Sequence, residues 1–189
     1  MRTISLAVLG VLVAGAIAWG VAGRVGSSDP QMASTGHAPM MDTNPPYDRV
    51  FIDGMVPHHQ LAVQMAQIVL ERGKRPELRG MAKSVIDAQS KEITQMKAWR
   101  KAWFGSADTP MEMAHATPGM DLSALTGAAD VDRAFIDQMV LHHQNAIDIA
   151  TQAKTNAQHL EIRDLAARIT TAQQSEVAQM ERWRTAWYG

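Results

Sequence analysis

Two stretches of the chain carry closely spaced histidines and methionines, whose side chains bind soft and borderline metal ions. Each stretch places an adjacent histidine pair three residues after a methionine: Met55, His58 and His59 in the first, and Met139, His142 and His143 in the second. The 189 residues include 13 methionines, 7 histidines and no cysteine. Disulfides, thiolate metal sites and cysteine nucleophiles are therefore excluded. Thioether and imidazole together favour copper, and Cu(I) in particular.

The two stretches belong to an internal repeat. Asp48–Gly105 aligns with Asp132–Gly189 at a constant offset of 84 residues and without a gap. The first copy begins DRVFIDGMVPHHQ and ends MKAWRKAWFG, and the second begins DRAFIDQMVLHHQ and ends MERWRTAWYG. A repeat of this length indicates one supersecondary unit used twice.

Each repeat has the pattern of a helical hairpin. Apolar residues recur at steps of three and four, and the segment ERGKRPEL supplies the glycine and proline of a turn. Strand patterns are absent, so the sequence predicts an all-α fold in which two tandem hairpins form a four-helix bundle with pseudo-two-fold symmetry. Within the first helix, Pro57 predicts a kink or a new helix start just before His58.

The hairpin geometry predicts which side chains face each other. If the first hairpin turns near residue 75, the numbers of facing residues add to about 150, which places His58 level with Glu92 and Met55 level with Gln95 or Met96. The same argument pairs His142 with Glu176, and Met139 with Met180. A carboxylate on the core stripe is costly unless it is paired or bound to a metal. The pattern favours one metal site in each hairpin, although a His–Glu pair could also serve only as a polar tie between helices.

The first 26 residues have the features of a signal peptide or an N-terminal membrane anchor. Residues 4–22 form an uncharged apolar run between Arg2 and Arg24, close to the roughly 20 residues that span a bilayer. Both alternatives predict export to the periplasm or another extracytoplasmic space, with membrane contact only through this segment. The formal net charge of -1 offers no electrostatic footprint for nucleic acid.

Two polar segments, residues 27–47 and 106–131, predict a flexible linker before the bundle and a loop that connects the repeats. Both contain methionine and histidine, which suggests an accessory layer that captures metal ions. Its members are His37, Met40, Met41, Met111, Met113, His115 and Met120.

The segments FIDGMVPHHQLAVQMA and FIDQMVLHHQNAIDIA resemble the signature of the domain of unknown function 305 family, over about Asp48 to Gly189. The resemblance implies a ferritin-like four-helix fold and, through the exported CopM-like members, copper or silver handling. The implied ligands are Met55, His58, His59, Met65, Met96, Met139, His142, His143 and Met180, to which the facing argument adds Glu92 and Glu176. Ile149 stands where the second repeat would match Met65, which predicts a weaker second site.

The favoured function is therefore a copper-binding protein without turnover, which sequesters copper or passes it to an exporter or acceptor protein in the envelope. Cu(I) is the favoured ion, with silver and Cu(II) as alternatives. Three other functions stay open: a Cu(I) oxidase, a zinc or nickel binder, and an envelope scaffold. The scaffold would dock a partner through two tryptophan pairs that otherwise pack at the bundle ends, Trp99 with Trp103 and Trp183 with Trp187.

Overall fold

The computed structural model describes residues 45–109 and 120–189, and all regular structure within these ranges is helical. The helices are α1 (Tyr47–Arg72), α2 (Pro76–Phe104), α3 (Leu122–Gly127), α4 (Val131–Asn156) and α5 (Leu160–Tyr188). Helices α1 and α2 form one hairpin, α4 and α5 form the other, and α1 packs against α4. The predicted all-α bundle of two hairpins is confirmed.

The turn of the first hairpin requires a glycine. Helix α1 ends at Arg72, and Pro76 begins α2, where its missing N–H group leaves no intrahelical bond unmade. A Cβ atom on Gly73 would lie 2.6 Å from the carbonyl oxygen of Val69 and 2.9 Å from the Asp132 carboxylate. The close approach of these groups, and not the backbone angles of Gly73, excludes a side chain here.

We expect Gly73→Ala to lower the free energy of unfolding by about 1–3 kcal/mol, because the new methyl group forces backbone atoms apart. Gly80 provides the matched control, since a Cβ there meets nothing within 4 Å. Gly80→Ala lies inside α2 and should raise the same free energy by about 0.5–1 kcal/mol. Urea unfolding of both variants measures the difference, and shifts of the same sign would contradict the crowding at residue 73.

Each repeat begins with a buried aspartate that binds the turn of the other hairpin. Asp48 accepts backbone hydrogen bonds from Gln158 (2.8 Å) and His159 (2.9 Å). Asp132 accepts two equivalent bonds from residues 74–75, at 3.1 and 3.0 Å. These bonds hold the start of each hairpin against the turn of the other, and α1 therefore runs antiparallel to α4.

The first helix does not restart at Pro57. Helix α1 is continuous from Tyr47 to Arg72, with Pro57 buried inside it, so the alternative of a new helix start before His58 was wrong. Pro57 removes one backbone hydrogen bond from α1. The burial of the apolar face along both halves of α1 stabilises the helix by more than this loss costs.

The segment between the repeats is only partly a loop. Within the predicted loop 106–131, Asp121 caps the short helix α3 by accepting hydrogen bonds from the N–H groups of Ser123 and Ala124. Leu125 of α3 is fully buried. Met120 packs half-buried against the apolar cluster that contains Leu125, and its role in metal capture stays a prediction. The other six predicted accessory residues lie outside the described ranges.

Across residues 45–109 and 120–189, every helix falls short of the length or the apolar character that a bilayer crossing demands. The predicted signal or anchor, residues 1–26, lies outside the described ranges.

Candidate metal centre

Four buried histidines form one layer where α1 packs against α4. The ring centroids of His58 and His142 lie 3.7 Å apart, and His142 Nε2 lies 3.1 Å from the carbonyl oxygen of His58. The rings of His59 and His143 lie 6.3 and 6.0 Å from those of their neighbours. None of the four is more than 4% exposed. Both hairpins contribute to this single histidine layer, whereas the sequence argument considered each hairpin by itself.

A glutamate from the second helix of each hairpin binds one histidine of this layer. Glu92 Oε2 lies 2.8 Å from His59 Nε2, and Glu176 Oε2 lies 2.7 Å from His143 Nε2. The sequence predicted the preceding histidine of each pair as the partner, which was wrong by one residue. Because each residue turns an α-helix by about 100°, a shift of one residue in hairpin register decides which imidazole faces the carboxylate.

These carboxylates determine which ring nitrogen is free. A glutamate accepts a hydrogen bond, so Nε2 of its histidine carries the proton and Nδ1 keeps a lone pair. In the described residues, the buried Nδ1 atoms of His59 and His143 have no hydrogen-bond partner, and neither has Nδ1 of His142, whose Nε2 donates to a carbonyl. A histidine held by a carboxylate behind it is the usual arrangement in metal sites.

The two central histidines are held in the neutral form. Burial, reinforced by the nearby imidazoles of His59 and His143, lowers the pKa of His58 to about 3. Burial likewise lowers the pKa of His142 well below its usual value, with His58 as the next cause. Only a neutral imidazole can bind a metal ion, so these side chains are ready to bind at neutral pH.

Methionine sulfur lies on both sides of the histidine layer. Met55 and Met96 are fully buried in one apolar cluster, and Met139 and Met180 are fully buried in the other. Met55 on α1 precedes His58 by three residues, and Met139 on α4 precedes His142 by three residues. This spacing is about 4.5 Å along the helix axis. The bundle core therefore contains a histidine layer between two methionine layers.

The third methionine belongs to the opposite layer from the one predicted. Met65 is fully buried in the cluster that contains Met139 and Met180, whereas Ile149 packs against the cluster of Met55 and Met96. Met65 lies ten residues after Met55, about 15 Å along α1, and so lies beyond the histidine layer. Met65 therefore lies on the same side of the histidine layer as Met139 and Met180, and the weaker second site stays a prediction.

Sequence reasoning missed two buried glutamines. Gln89 and Gln173 are each 3% exposed, and their Oε1 atoms have no hydrogen-bond partner among the described residues. A signal was present, because they occupy matching positions of the repeat, three residues before Glu92 and Glu176. Spacing of three residues places both members of each pair on one helix face.

Two aspartates at matching positions of the repeat, Asp53 and Asp137, form ion pairs outside the centre. Asp53 contacts Arg49, four residues before it, at 3.4 Å, and it forms a second, buried pair with Arg100. Asp137 makes its shorter contact with Arg184, at 2.5 Å. The closest partner of each aspartate therefore lies on the neighbouring helix of its own hairpin and not four residues before it.

The tryptophan pairs stack at the two ends of the bundle. The Trp99 and Trp103 centroids lie 5.5 Å apart, and the second pair lies 5.2 Å apart, with both interplanar angles at 8°. Both pairs pack against the apolar clusters, which fits a packing role. His159 binds Asp48 and stacks on Trp103 at 3.7 Å, so it lies at a bundle end and outside the histidine layer.

The centre lacks the carboxylates of a ferritin-type iron site. Within the described parts of the chain, no three His, Asp or Glu side chains are grouped closely enough to hold a metal ion together. The groups left free to bind are imidazole Nδ1 atoms and thioether sulfurs, and this donor set is typical of soft metal ions.

Fold and centre define a bundle of two repeated helical hairpins with imidazole and thioether groups buried in its core. The sequence profile of the Domain of unknown function (DUF305) matches residues 22–100 and 48–184. The chain belongs to the DUF305 family.

Solved structures with the same fold include CopM in several metal-bound forms. CopM in the Cu(I)-bound form is 39% identical over 75% of this chain and 98% of that chain, with a TM-score of 0.69. CopM in the Cu(II)-bound form is 41% identical over 75% and 97%, with a TM-score of 0.70. A presumptive secreted DUF305 protein from Streptomyces coelicolor is 25% identical over 75% and 93%, with a TM-score of 0.66.

A curated relative is much more distant. An uncharacterized protein of Acanthamoeba polyphaga mimivirus is 33% identical over 51 residues, which are 27% of this chain and 34% of the viral protein. The chain thus spans about a third of the length of that relative.

Proposed function

We propose that this protein binds copper in the core of its bundle and sequesters it or passes it on, with the metal ion as cargo. The observation that carries the proposal is the set of four buried histidines whose Nδ1 atoms have no hydrogen-bond partner among the described residues and lie between two methionine layers. Buried polar atoms without partners cost about 1–3 kcal/mol each. A metal ion bound by such a nitrogen together with a methionine sulfur would remove this cost.

The donor chemistry selects copper among the metals that imidazole accepts. Thioethers are soft ligands and favour Cu(I), which has the same charge and similar softness as Ag(I). Imidazole nitrogens would also accept Cu(II). The likeness to CopM, solved in Cu(I)-bound, Ag-bound and Cu(II)-bound forms, supports the same range of ions for this chain.

Export and delivery are further parts of the proposal. The apolar segment 4–22 would direct the chain across a membrane, as a cleaved signal or a retained anchor. Outside the cytoplasm thiols oxidise readily, and a centre built from histidine and methionine avoids that weakness. An acceptor or exporter of copper in the envelope would be the partner, and the residues of the segments 27–47 and 110–119 would capture ions before they enter the bundle.

The two methionine layers should differ in Cu(I) affinity. One substitution at each layer, Met65→Ile at one and Ile149→Met at the other, should reverse which layer binds Cu(I) more tightly. We expect Met65→Ile to weaken the tighter Cu(I) site about tenfold, equivalent to about 1.4 kcal/mol. The cause is the loss of one thioether from the layer of Met139 and Met180. Ile149→Met should strengthen the weaker site by a similar factor, because it adds a thioether beside Met55 and Met96.

Anaerobic titration against a Cu(I) chelator, with native mass spectrometry to count bound ions, measures both affinities. Met81→Ile is a control for the loss of a half-buried methionine. Met81 packs against the same apolar cluster as Met65, but it lies near the start of α2, about 16 Å along the helix from Glu92, and the variant should leave both affinities unchanged. Absence of tight Cu(I) binding by the unmodified protein would refute the proposed function. Tight binding that ignores both exchanges would place the ions outside the methionine layers.

A further inference from the structure

Two buried amide oxygens in the core are not used by any hydrogen bond among the described residues. Oε1 of Gln89 and of Gln173 is buried and has no hydrogen-bond partner in the described residues. Native proteins rarely retain such groups unless an ion, a water molecule or a function requires them. The two glutamines occupy the same position of both repeats. A chance arrangement within a single helix therefore does not explain the two unpaired oxygens.

The helix directions place each glutamine beside the methionines of the other hairpin. From Glu92 to Gln89 the chain of α2 runs back toward its hairpin turn, and the same direction along α1 leads from His59 to Ala62. Ala62 lies in the apolar cluster that contains Met139 and Met180. Gln89 of the first hairpin is therefore level with the methionine pair of the second hairpin.

The second glutamine occupies the mirror position. Gln173 lies three residues before Glu176, which binds His143, and the corresponding position on α4 is Ala146. Ala146 lies in the cluster that contains Met55 and Met96. An alanine in each of these places leaves room for the longer amide side chain.

We propose that Gln89 and Gln173 are oxygen donors that each hairpin extends to copper bound at the methionine layer of the other hairpin. The proposal rests on the copper-binding function argued above. Thioethers stabilise Cu(I), whereas Cu(II) prefers oxygen and nitrogen donors. A buried amide oxygen aimed at the ion interacts more strongly with the higher charge. The two glutamines therefore set how well the centre holds Cu(II) relative to Cu(I).

The test compares the affinities of the two oxidation states in a double variant. Gln89→Leu with Gln173→Leu removes both oxygens and keeps a similar volume in an apolar core. Cu(II) affinity should fall about tenfold or more, because a hydrogen bond or dipole contact to a charged group contributes about 1.5–3 kcal/mol. Cu(I) affinity should change less than threefold. The reduction potential of the bound copper should rise by about 59 mV for each tenfold change in the affinity ratio.

Two further variants separate this role from packing. Gln89→Glu with Gln173→Glu keeps oxygen donors and adds charge, so Cu(II) affinity should recover or exceed that of the unmodified protein. Gln95→Leu with Gln174→Leu changes exposed glutamines on the same two helices and should leave both affinities unchanged. The electron paramagnetic resonance spectrum of bound Cu(II) should change only in the buried-site variants.

The outcomes distinguish this proposal from the copper-binding function itself. If the unmodified protein binds neither Cu(I) nor Cu(II), the proposed function fails. If it binds both, and the buried leucine variant keeps the same affinity ratio and the same Cu(II) spectrum, the glutamines are only structural and the proposal is overturned. A parallel loss of Cu(I) and Cu(II) affinity would also overturn it, because an oxygen donor must discriminate between the two charges.

Discussion

Replacement of His59 and His143 by leucine is expected to lower Cu(I) affinity by more than about 100-fold at both methionine layers. Each of these histidines offers a buried Nδ1 lone pair, and each is oriented by a glutamate on its Nε2 side. Even the loss of an orienting partner typically costs about 10–100-fold in metal affinity, and the loss of the ligand itself should cost more. Chelator competition under anaerobic conditions would measure the change.

The leucine variant should remain folded, which makes its copper affinity interpretable. Leucine is similar in volume to histidine, and Glu92 and Glu176 keep 21% and 23% of their side chains exposed to water after their partners are lost. Far-ultraviolet circular dichroism would check the helices. His159→Gln changes a histidine at the bundle end and should leave Cu(I) affinity within about twofold, well below the tenfold that 1.4 kcal/mol represents. Equal copper affinity in the leucine variant and the unmodified protein would make the histidine layer structural.

Acid is expected to unfold the metal-free protein between about pH 6 and pH 3, through its two central histidines. In the unfolded chain a histidine has a pKa of about 6.5, whereas burial lowers the pKa of His58 to about 3 in the fold. Within this window the unfolded state binds the proton more tightly, so stability is complete above pH 6.5 and is lost as the pH falls. Each such histidine lowers the free energy of unfolding by about 1.4 kcal/mol per pH unit.

Buried histidines of this kind remove a large part of the stability of an ordinary domain, which is about 5–15 kcal/mol. His142 acts in the same direction as His58 because burial lowers its pKa too. Burial of Asp48 is outweighed by hydrogen bonds from His159 and Gln158, which lower its pKa. The stability that Asp48 contributes is therefore lost only below about pH 4.

Urea unfolding at several pH values between 7 and 4 would test the role of the histidines. The variant His58→Leu with His142→Leu should have a clearly weaker dependence over this range, because it lacks the two central buried bases. At pH 4 it should be more stable than the unmodified protein. A flat dependence in the unmodified protein would show that neither histidine is protonated on unfolding.

Much of the fold could be predicted because the sequence repeats itself. The gapless alignment at an offset of 84 residues identified one hairpin used twice, and the spacing of apolar residues at steps of three and four identified its helices. Helix α3 escaped this reasoning, since six residues are too few for a periodic pattern and its stability comes from one buried side chain, Leu125. The position of Met120 depended on the same packing.

The residues of the metal centre could be named from the sequence, but their partners could not. Residue type and helical spacing placed His58 opposite Glu92, and Met55 opposite Gln95 or Met96, on facing helices. The pairing of His59 with Glu92, in place of His58, depends on the three-residue turn between α1 and α2. A small change in that turn shifts the register by one residue and rotates the facing side chains by about 100°.

The sequence by itself determined the hairpin, its repetition and the donor atoms, because these follow from local periodicity and side-chain chemistry. Only the tertiary structure decided how the hairpins combine. Asp48 and Asp132 hold α1 antiparallel to α4, and this direction joins His58 to His142 and carries Met65 to the methionines of the second hairpin. The hydrogen bonds link residues 58 to 110 positions apart in sequence, where no local pattern constrains the pairing. The pairing is set by the packing of the apolar face of α1 against that of α4.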